Sequence, residues 1–318
     1  MYNQLTREQR YGIYLGLEAK ESQKEIARKI GVHPSTISRE LKRNTTKRGV
    51  YVWNKAHDRA IGRRTREPGN RGLRPTLVWR IKNIIKTEQW SPKQISGSLA
   101  LEGIKVSHEA IYQIIRKDES GELREHTRHK MKYKRHKKPI KPTKATNIAN
   151  RTSIHQRPIE ADGTRFGDWE MDLIIGKDGK GEILTLTERS TNLILMEKLK
   201  HGKNAKALAK VVVRLLFPYR KKACHTITTD NGSEFAAHEL ITKGLKGVKV
   251  YFADSYCSWQ KGAIENANKL IRQYIPKGAD FKDFSDKTIL KIQKKINARP
   301  REKLGFKSPK FLFFKLIA

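Results

Sequence analysis

Apolar positions recur at helical spacing through the first 118 residues, and strand-like runs begin only at Phe166. Thr6 and Gln9 form a capping box ahead of Ile13, Tyr14 and Leu17, which share one helix face. A short helix from Gln23 to Ile30 carries Ile26 and Ile30; Gly31 breaks it, and Pro34 restarts a helix bearing Ile37 and Leu41. Helix, glycine-bearing turn and helix at this spacing predict a helix-turn-helix over residues 1–46. Its last helix, Pro34 to Arg43, suits the major groove, which makes Ser35, Thr36, Ser38, Arg39 and Arg43 candidate contacts to bases or phosphates. A plain three-helix bundle is the alternative; the basic end of the last helix favours DNA.

Tyr51, Trp53, Ala56 and Ala60 suggest a further helix ending at Arg63-Arg64, before a break at Pro68-Gly69. The design then repeats. Pro75 starts a helix with Leu77, Ile81, Ile84 and Ile85, and Ser91-Pro92-Lys93-Gln94 is a second capping box whose helix carries Ile95 and Leu99. Ser107 caps a helix with Ile111, Ile114 and Ile115, turning His108, Glu109, Tyr112 and Gln113 outward. Residues 47–118 therefore read as a helical segment with a second helix-turn-helix, separated by a longer turn. Either it is a second reading head, with His108 and Tyr112 on DNA, or it packs or dimerises.

Residues 119–160 read as a basic linker. From Arg128 to Lys144 there are nine lysines and arginines, Lys134 and Arg135 among them, and no acid, while Pro139 and Pro142 deny a continuous helix. Charge of one sign self-repels unless a polyanion neutralises it, so a linker tracking a phosphate backbone is expected.

From residue 161 to 318 the pattern alternates. Strand-like Phe166 to Ile175 turns at Lys177-Asp178-Gly179, an Asp-Gly hairpin signal, into Glu182 to Glu188, and Leu193 to Leu199 returns. A helix from Ala205 to Phe217 follows, then a strand ending at Asp230, a helix, the strand Val248 to Phe252, a loop and a last helix from Ala263. Three meandering strands followed by helix, strand, helix, strand and helix predict an α/β ribonuclease H-like core with a mixed five-stranded sheet. The whole chain is then multidomain, with all-α modules ahead of that core.

Charge sharpens the expected partner. Among 318 residues, 68 Lys and Arg stand against 32 Asp and Glu, a formal net charge of +36. Such a surplus points to a polyanion, bound more weakly as salt rises. Cys224 and Cys257 are the only cysteines, which suits a reducing compartment and leaves no disulfide scaffold or paired-cysteine zinc module. His126, His129 and His136 lie among lysines, where DNA-facing or solvated roles are expected rather than metal binding. With no signal peptide and no apolar run of membrane-spanning length, the chain reads as cytoplasmic.

The candidate chemistry centres on Thr228-Thr229-Asp230-Asn231-Gly232-Ser233-Glu234-Phe235. Asp230 sits where a strand ends and a turn begins, the edge at which ligand groups collect in open α/β sheets, with Gly232 able to supply an unusual backbone angle. Asp172 lies in the first strand of the core and Glu265 opens the last helix. Together these three carboxylates are expected to bind divalent metal and cut DNA. Mg²⁺ prefers hard oxygen ligands, and two ions about 3.5–4 Å apart serve an in-line displacement at a phosphodiester. Asp168 and Glu170 share the strand face of Asp172, so either could be the first ligand. Asn268, Lys269 and Arg272 follow Glu265 at helical spacing and are candidates to hold substrate phosphates. Trp259-Gln260-Lys261-Gly262 suggests a mobile loop over the site, with Trp259 equally suited to anchoring the core.

These residues resemble a known family. Leu5-Thr6-Arg7-Glu8, Ser35 to Leu41, Trp90-Ser91-Pro92, Val106 to Glu109, Gly167 to Asp172, Asp230 to Phe235, Asn266 to Phe281, Asn297-Ala298-Arg299-Pro300 and Leu304-Gly305 together resemble bacterial DDE transposases of the insertion sequence thirty family, whose catalytic core is retroviral-integrase-like. The resemblance covers nearly the whole chain. Met171 stands where the family commonly has glycine, and Ala263-Ile264 replaces a more polar pair. It implies that Asp172, Asp230 and Glu265 are the catalytic and metal-binding carboxylates, with Mg²⁺ the ion and Mn²⁺ a substitute. It further implies binding to double-stranded DNA at element ends and target, a homodimer or higher oligomer, association with the bacterial nucleoid, and strand cleavage followed by strand transfer. A DNA-binding regulator with an inert catalytic half and a nuclease without strand transfer are the competing readings.

Overall fold

The computed structural model describes residues 4–46, 49–64, 72–128, 130–131, 148–200, 202, 204–255 and 257–318. They form two compact units, Met1–Arg74 and Pro75–Ala318.

In the first unit α1 (Arg7–Glu18), α2 (Gln23–Ile30), α3 (Pro34–Asn44) and α4 (Trp53–Arg64) enclose Leu5, Ile13, Ile26, Ala27, Ile37, Tyr51 and Ala56. The Thr6–Gln9 capping box closes α1 as expected, and Ser22 with Glu25 builds another at α2. Gly31 ends α2 in the left-handed region at φ 71°, the backbone that lets α3 turn away. His33 caps α3, its Nδ1 accepting from the Ser35 amide. The helix expected from Trp53 onward belongs to this unit, because Trp53 packs edge-on against Tyr11 under Arg7.

The second unit begins with α5 (Pro75–Glu88), α6 (Pro92–Leu101), α7 (His108–Arg116) and the short α8 (Glu122–Glu125). Its sheet comprises β1 (Thr152–Ser153), β2 (Asp168–Ile175), β3 (Glu182–Glu188), β4 (Ile194–Leu199), β5 (Thr226–Thr229) and β6 (Lys249–Phe252), in the spatial order β1-β6-β5-β2-β3-β4. The β2-β3-β4 meander is antiparallel, while β5 joins β2 and β6 joins β5 in parallel. That is the ribonuclease H-like arrangement. The sheet has six strands rather than the expected five: β1 pairs with β6 in parallel from within the stretch expected as linker, and two residues are too short to show a period.

Helices α9 (Ala205–Leu216) and α10 (His238–Gly244) cover one face over Trp169, Met171, Leu184, Leu186 and Ile227. Helix α11 (Gly262–Tyr274) covers the other, over Ile174, Ile183, Ile194 and Met196. Two helices not expected from the pattern complete the unit, α12 (Asp286–Ala298) and α13 (Pro309–Ile317). Helix α12 blunts the exposed edge of β4: the Asn297 amide pairs with both N–H and C=O of Ile194, and Gln293 accepts from the Met196 amide. Phe313 of α13 closes the opposite face against Trp169, Tyr219 and Phe166.

The helical module α5–α8 is packed onto this core. Arg299, 2% exposed, donates to Tyr274 Oη at 2.7 Å, Gln273 Oε1 at 3.0 Å and, across the junction, the Glu88 carbonyl at 3.5 Å. Phe306 lies against Gly97, where any side chain would run into its ring. Arg299→Ala removes these bonds and leaves a cavity, a loss of about 2–4 kcal/mol. Amide exchange at α5 and α12 in the full chain should quicken by roughly 30- to 1,000-fold.

Candidate active site

The site follows from register. Asp168 lies opposite Thr226 and Glu170 opposite Thr228 on the parallel pair β2 and β5. Two residues further along each strand come Asp172 and Asp230, neighbours on adjacent strands spaced about 4.8 Å apart. Period two turns both toward the face that α11 covers. The turn after β5 is held by Asn231, whose amide donates to the Ala253 carbonyl, and by Asp230 Oδ1, which accepts from Gly232 N at 3.1 Å. Gly232 has an ordinary extended backbone, φ −68° and ψ 141°, not the unusual angle expected of it; a Cβ there would meet the Glu234 side chain instead.

Two carboxylates about 5 Å apart near a protein surface repel by roughly 3 kcal/mol. Lys261 relieves this. Its buried Nζ lies 3.0 Å from Asp230 Oδ2 and 3.5 Å from Asp172 Oδ1. Burial works against the ammonium, but the two carboxylates outweigh it and hold Lys261 above its ordinary range. Burial pushes the Asp172 carboxyl up, Lys261 pulls it down and the Asp230 charge adds to the rise. Asn268, expected as a phosphate contact, donates instead to Asp172 Oδ2 at 2.7 Å and accepts from Thr185 Oγ1, fixing that carboxylate.

The neighbouring acids are otherwise engaged. Asp168 is fully buried between Arg165 and Thr226. Glu170 pairs with Arg189 at 3.0 Å and accepts from the Ile264 amide at 2.7 Å, so it anchors the start of α11 and its positive helix end. Only Asp172 of the three faces Asp230. Glu265 lies one residue after that anchor, half-exposed, with Lys269 Nζ 4.0 Å from its Oε2. Among the described residues, no three His, Cys, Asp or Glu side chains converge as a group able to hold an ion. Asp172 and Asp230 meet at one ammonium; Glu265 is placed on the covering helix without joining them.

Comparison with known proteins shows the family of the chain. The chain is 42% identical over its whole length to a transposase for insertion sequence element IS4351 of Bacteroides fragilis, covering 97% of that protein. It is 34% identical, over 100% of this chain and 96% of the relative, to a transposase for IS1086 of Cupriavidus metallidurans. It is 33% identical to the InsI transposase of IS30A of Escherichia coli, over 99% and 84%. The chain belongs to the IS30 family of transposases. Residues 1–44 of the transposase also match a family described as a helix-turn-helix domain. The catalytic core domain of BIV integrase is a structural neighbour at 17% identity and TM-score 0.37, over 48% of this chain and 95% of that one. The fold assignment rests on strand order, not on that likeness.

Within the transposase the remaining expected residues fall as follows. On α3, Ser38, Arg39 and Arg43 are exposed and Ser35 and Thr36 half-exposed, so the outer face carries them together. On α7, His108 stacks edge-on with Tyr112 at 6.3 Å and Arg116 lies over the Tyr112 ring, forming one continuous stripe. Lys269 is exposed beside Glu265, but Arg272 is committed to the carbonyls of Ile175 and Pro276, pinning the end of α11 to β2. Lys134 and Arg135 lie outside the described residues. Trp259 is 73% exposed, on the 3-10 turn Ser258–Lys261 ahead of α11, and does not anchor the core. Among the described residues no helix is long and apolar enough to cross a membrane. Lys261 was missed as a site residue because one lysine among 68 basic residues carries no signal in its spacing.

Proposed function

We propose that the transposase is a DDE-type polynucleotidyl transferase that binds the terminal inverted repeats of its element through the N-terminal unit and cleaves and joins strands at Asp172, Asp230 and Glu265. The observation that carries this reading is the meeting of Asp172, from the middle of β2, and Asp230, just past the end of the parallel β5, on the single positive charge of Lys261 ahead of the helix that bears Glu265. The donor set suits Mg²⁺, or Mn²⁺ in its place, since it consists of hard carboxylate oxygens. Asp172, Asp230 and Glu265 would hold two such ions, which when bound activate the attacking water and offset charge on the leaving oxygen.

The chain's own residues do the rest. Asn268 and Thr185 lock the Asp172 carboxylate in one orientation. Glu170 fixes the start of α11 and so the position of Glu265. Exposed Lys269 offers a phosphate contact one turn away. Water attack at the element end forms one P–O bond as another breaks, leaving a 5′-phosphate and a 3′-hydroxyl that takes up the water's proton; that hydroxyl then attacks a second phosphodiester, forming one P–O bond as another breaks. No external energy source is needed. Two ends must be processed, so a homodimer or larger assembly on DNA fits this chemistry.

A pre-cut element end incubated with target DNA and Mg²⁺ should give joined product; hydrolysis alone would reduce the protein to a nuclease. Arg39→Ala should weaken binding to the element end by roughly 5- to 150-fold at fixed salt, read by fluorescence anisotropy, and relax discrimination against unrelated DNA. An equal loss on all sequences, with a shallower salt slope, would make Arg39 a phosphate contact only.

A further inference from the structure

Lys261 ends a short 3-10 turn, Ser258–Lys261, that leads directly into α11. That turn is clamped on both sides. Gln260 accepts from the Asp254 amide and donates to the Asp254 carboxylate, which also meets His155, while Ile264 donates to Glu170. The lysine side chain is itself only 9% exposed. Its ammonium is the one cationic group among the described residues that is paired with both Asp172 and Asp230. Among the described residues the other hydrogen-bond partners of those carboxylates are neutral, Asn268 on one and the Gly232 amide on the other.

We propose that Lys261 is a built-in counter-ion, holding Asp172 and Asp230 together until a divalent cation displaces it from the same oxygens. The proposal rests on reading those two residues as metal ligands. It makes metal binding a competition: the apparent affinity is the intrinsic one multiplied by the fraction of molecules in which Lys261 has left. It also couples metal entry to the turn, because the buried Lys261 side chain, paired with both aspartates, is one of the contacts that hold residues 258–261 in place.

The test is Mn²⁺ titration of the full chain without DNA, read by the paramagnetic resonance signal of free Mn²⁺, together with amide exchange over residues 258–262. Lys261→Met keeps length without charge, and Lys261→Gln is a second variant. Both should bind Mn²⁺ on the order of 10- to 100-fold more tightly than the wild type. Asp230→Asn should abolish that binding. In the wild type, exchange at 258–262 should quicken on adding Mn²⁺; in both variants it should be fast without metal and unresponsive to it. Variants that fold only with Mn²⁺ present also support the counter-ion. Affinity unchanged or weaker in both variants, while still dependent on Asp230, would overturn the proposal and leave the ligand assignment standing. Variants that misfold with and without Mn²⁺ would make Lys261 a structural anchor and overturn it as well. Binding indifferent to Asp230 would remove the ligand assignment and the proposal together.

Discussion

Alanine at Asp172, Asp230 or Glu265 should each lower cleavage of element-end DNA by at least about 10³-fold, a loss of roughly 4 kcal/mol in transition-state stabilisation, and leave end binding unchanged. Binding survives because Ser35, Thr36, Ser38, Arg39 and Arg43 of α3 lie in the unit Met1–Arg74, whereas all three carboxylates lie in Pro75–Ala318, on elements other than the α7 that bears His108 and Tyr112. The three variants are not equivalent tests. Asp172 and Asp230 share Lys261, so removing either also leaves a buried ammonium with one partner fewer. Among the described residues Glu265 has only the distant Lys269 as an ion-pair partner, so its replacement disturbs the resting fold least. Glu265→Ala with normal melting, normal DNA binding and no cleavage would tie the helix-borne acid to chemistry. Cleavage by Glu265→Ala within tenfold of wild type would break the triad while sparing the aspartate pair. Asp168→Asn serves as contrast: it should cost stability through Arg165 and Thr226 before it touches the reaction.

How much of this was legible in the sequence depends on how local each signal is. Capping boxes at Thr6 and Ser91 and the alternation of β2 are read within a few residues, and α1, α6 and the meander appear where the pattern puts them. The aspartate pair was legible as chemistry but not as geometry, because period two leaves Asp168, Glu170 and Asp172 on one face. Only the register against β5 decides which of them meets Asp230. Helices α12 and α13 show the opposite failure. Ile289, Ile292 and Ile296 have helical spacing, yet the role of α12 as cover for the β4 edge depends on Gln293 and Asn297 reaching a strand about 100 residues earlier. Buried polar groups with distant partners have no period, and Lys261, Arg299 and Glu170 all belong to that class.

The same class holds the second large effect. Glu40→Ala should destabilise the N-terminal unit by about 3–5 kcal/mol and abolish its DNA binding. Glu40 was visible only as part of a family motif on α3, flanked by the exposed Arg39 and the half-buried Leu41. In the fold it is 8% exposed, with Arg10 Nε 2.8 Å from its Oε1 and the Tyr51 hydroxyl donating to the same oxygen at 3.2 Å. Arg10 also donates to the Leu5 carbonyl, so one carboxylate joins α1, α3 and the segment before α4. Burial, and then the Glu40 charge, push the Tyr51 phenol far above its ordinary range, as expected of a hydroxyl held beside a carboxylate. Removing Glu40 leaves a guanidinium buried with no counter-charge, which is the costly half of breaking such a pair. A small domain has little stability in reserve, so a loss of this size approaches the whole. Melting of the full chain should then show the N-terminal transition shifted or absent, with exchange protection in β2 and β3 unchanged. The double variant Arg10→Met with Glu40→Leu separates charge from shape: replacing both ions with apolar groups of similar volume is often neutral, so it should restore melting and, with α3 reseated, binding through Arg39 and Arg43. If the double variant melts as low as Glu40→Ala, the contribution of this site is its hydrogen-bond geometry rather than the balance of buried charge.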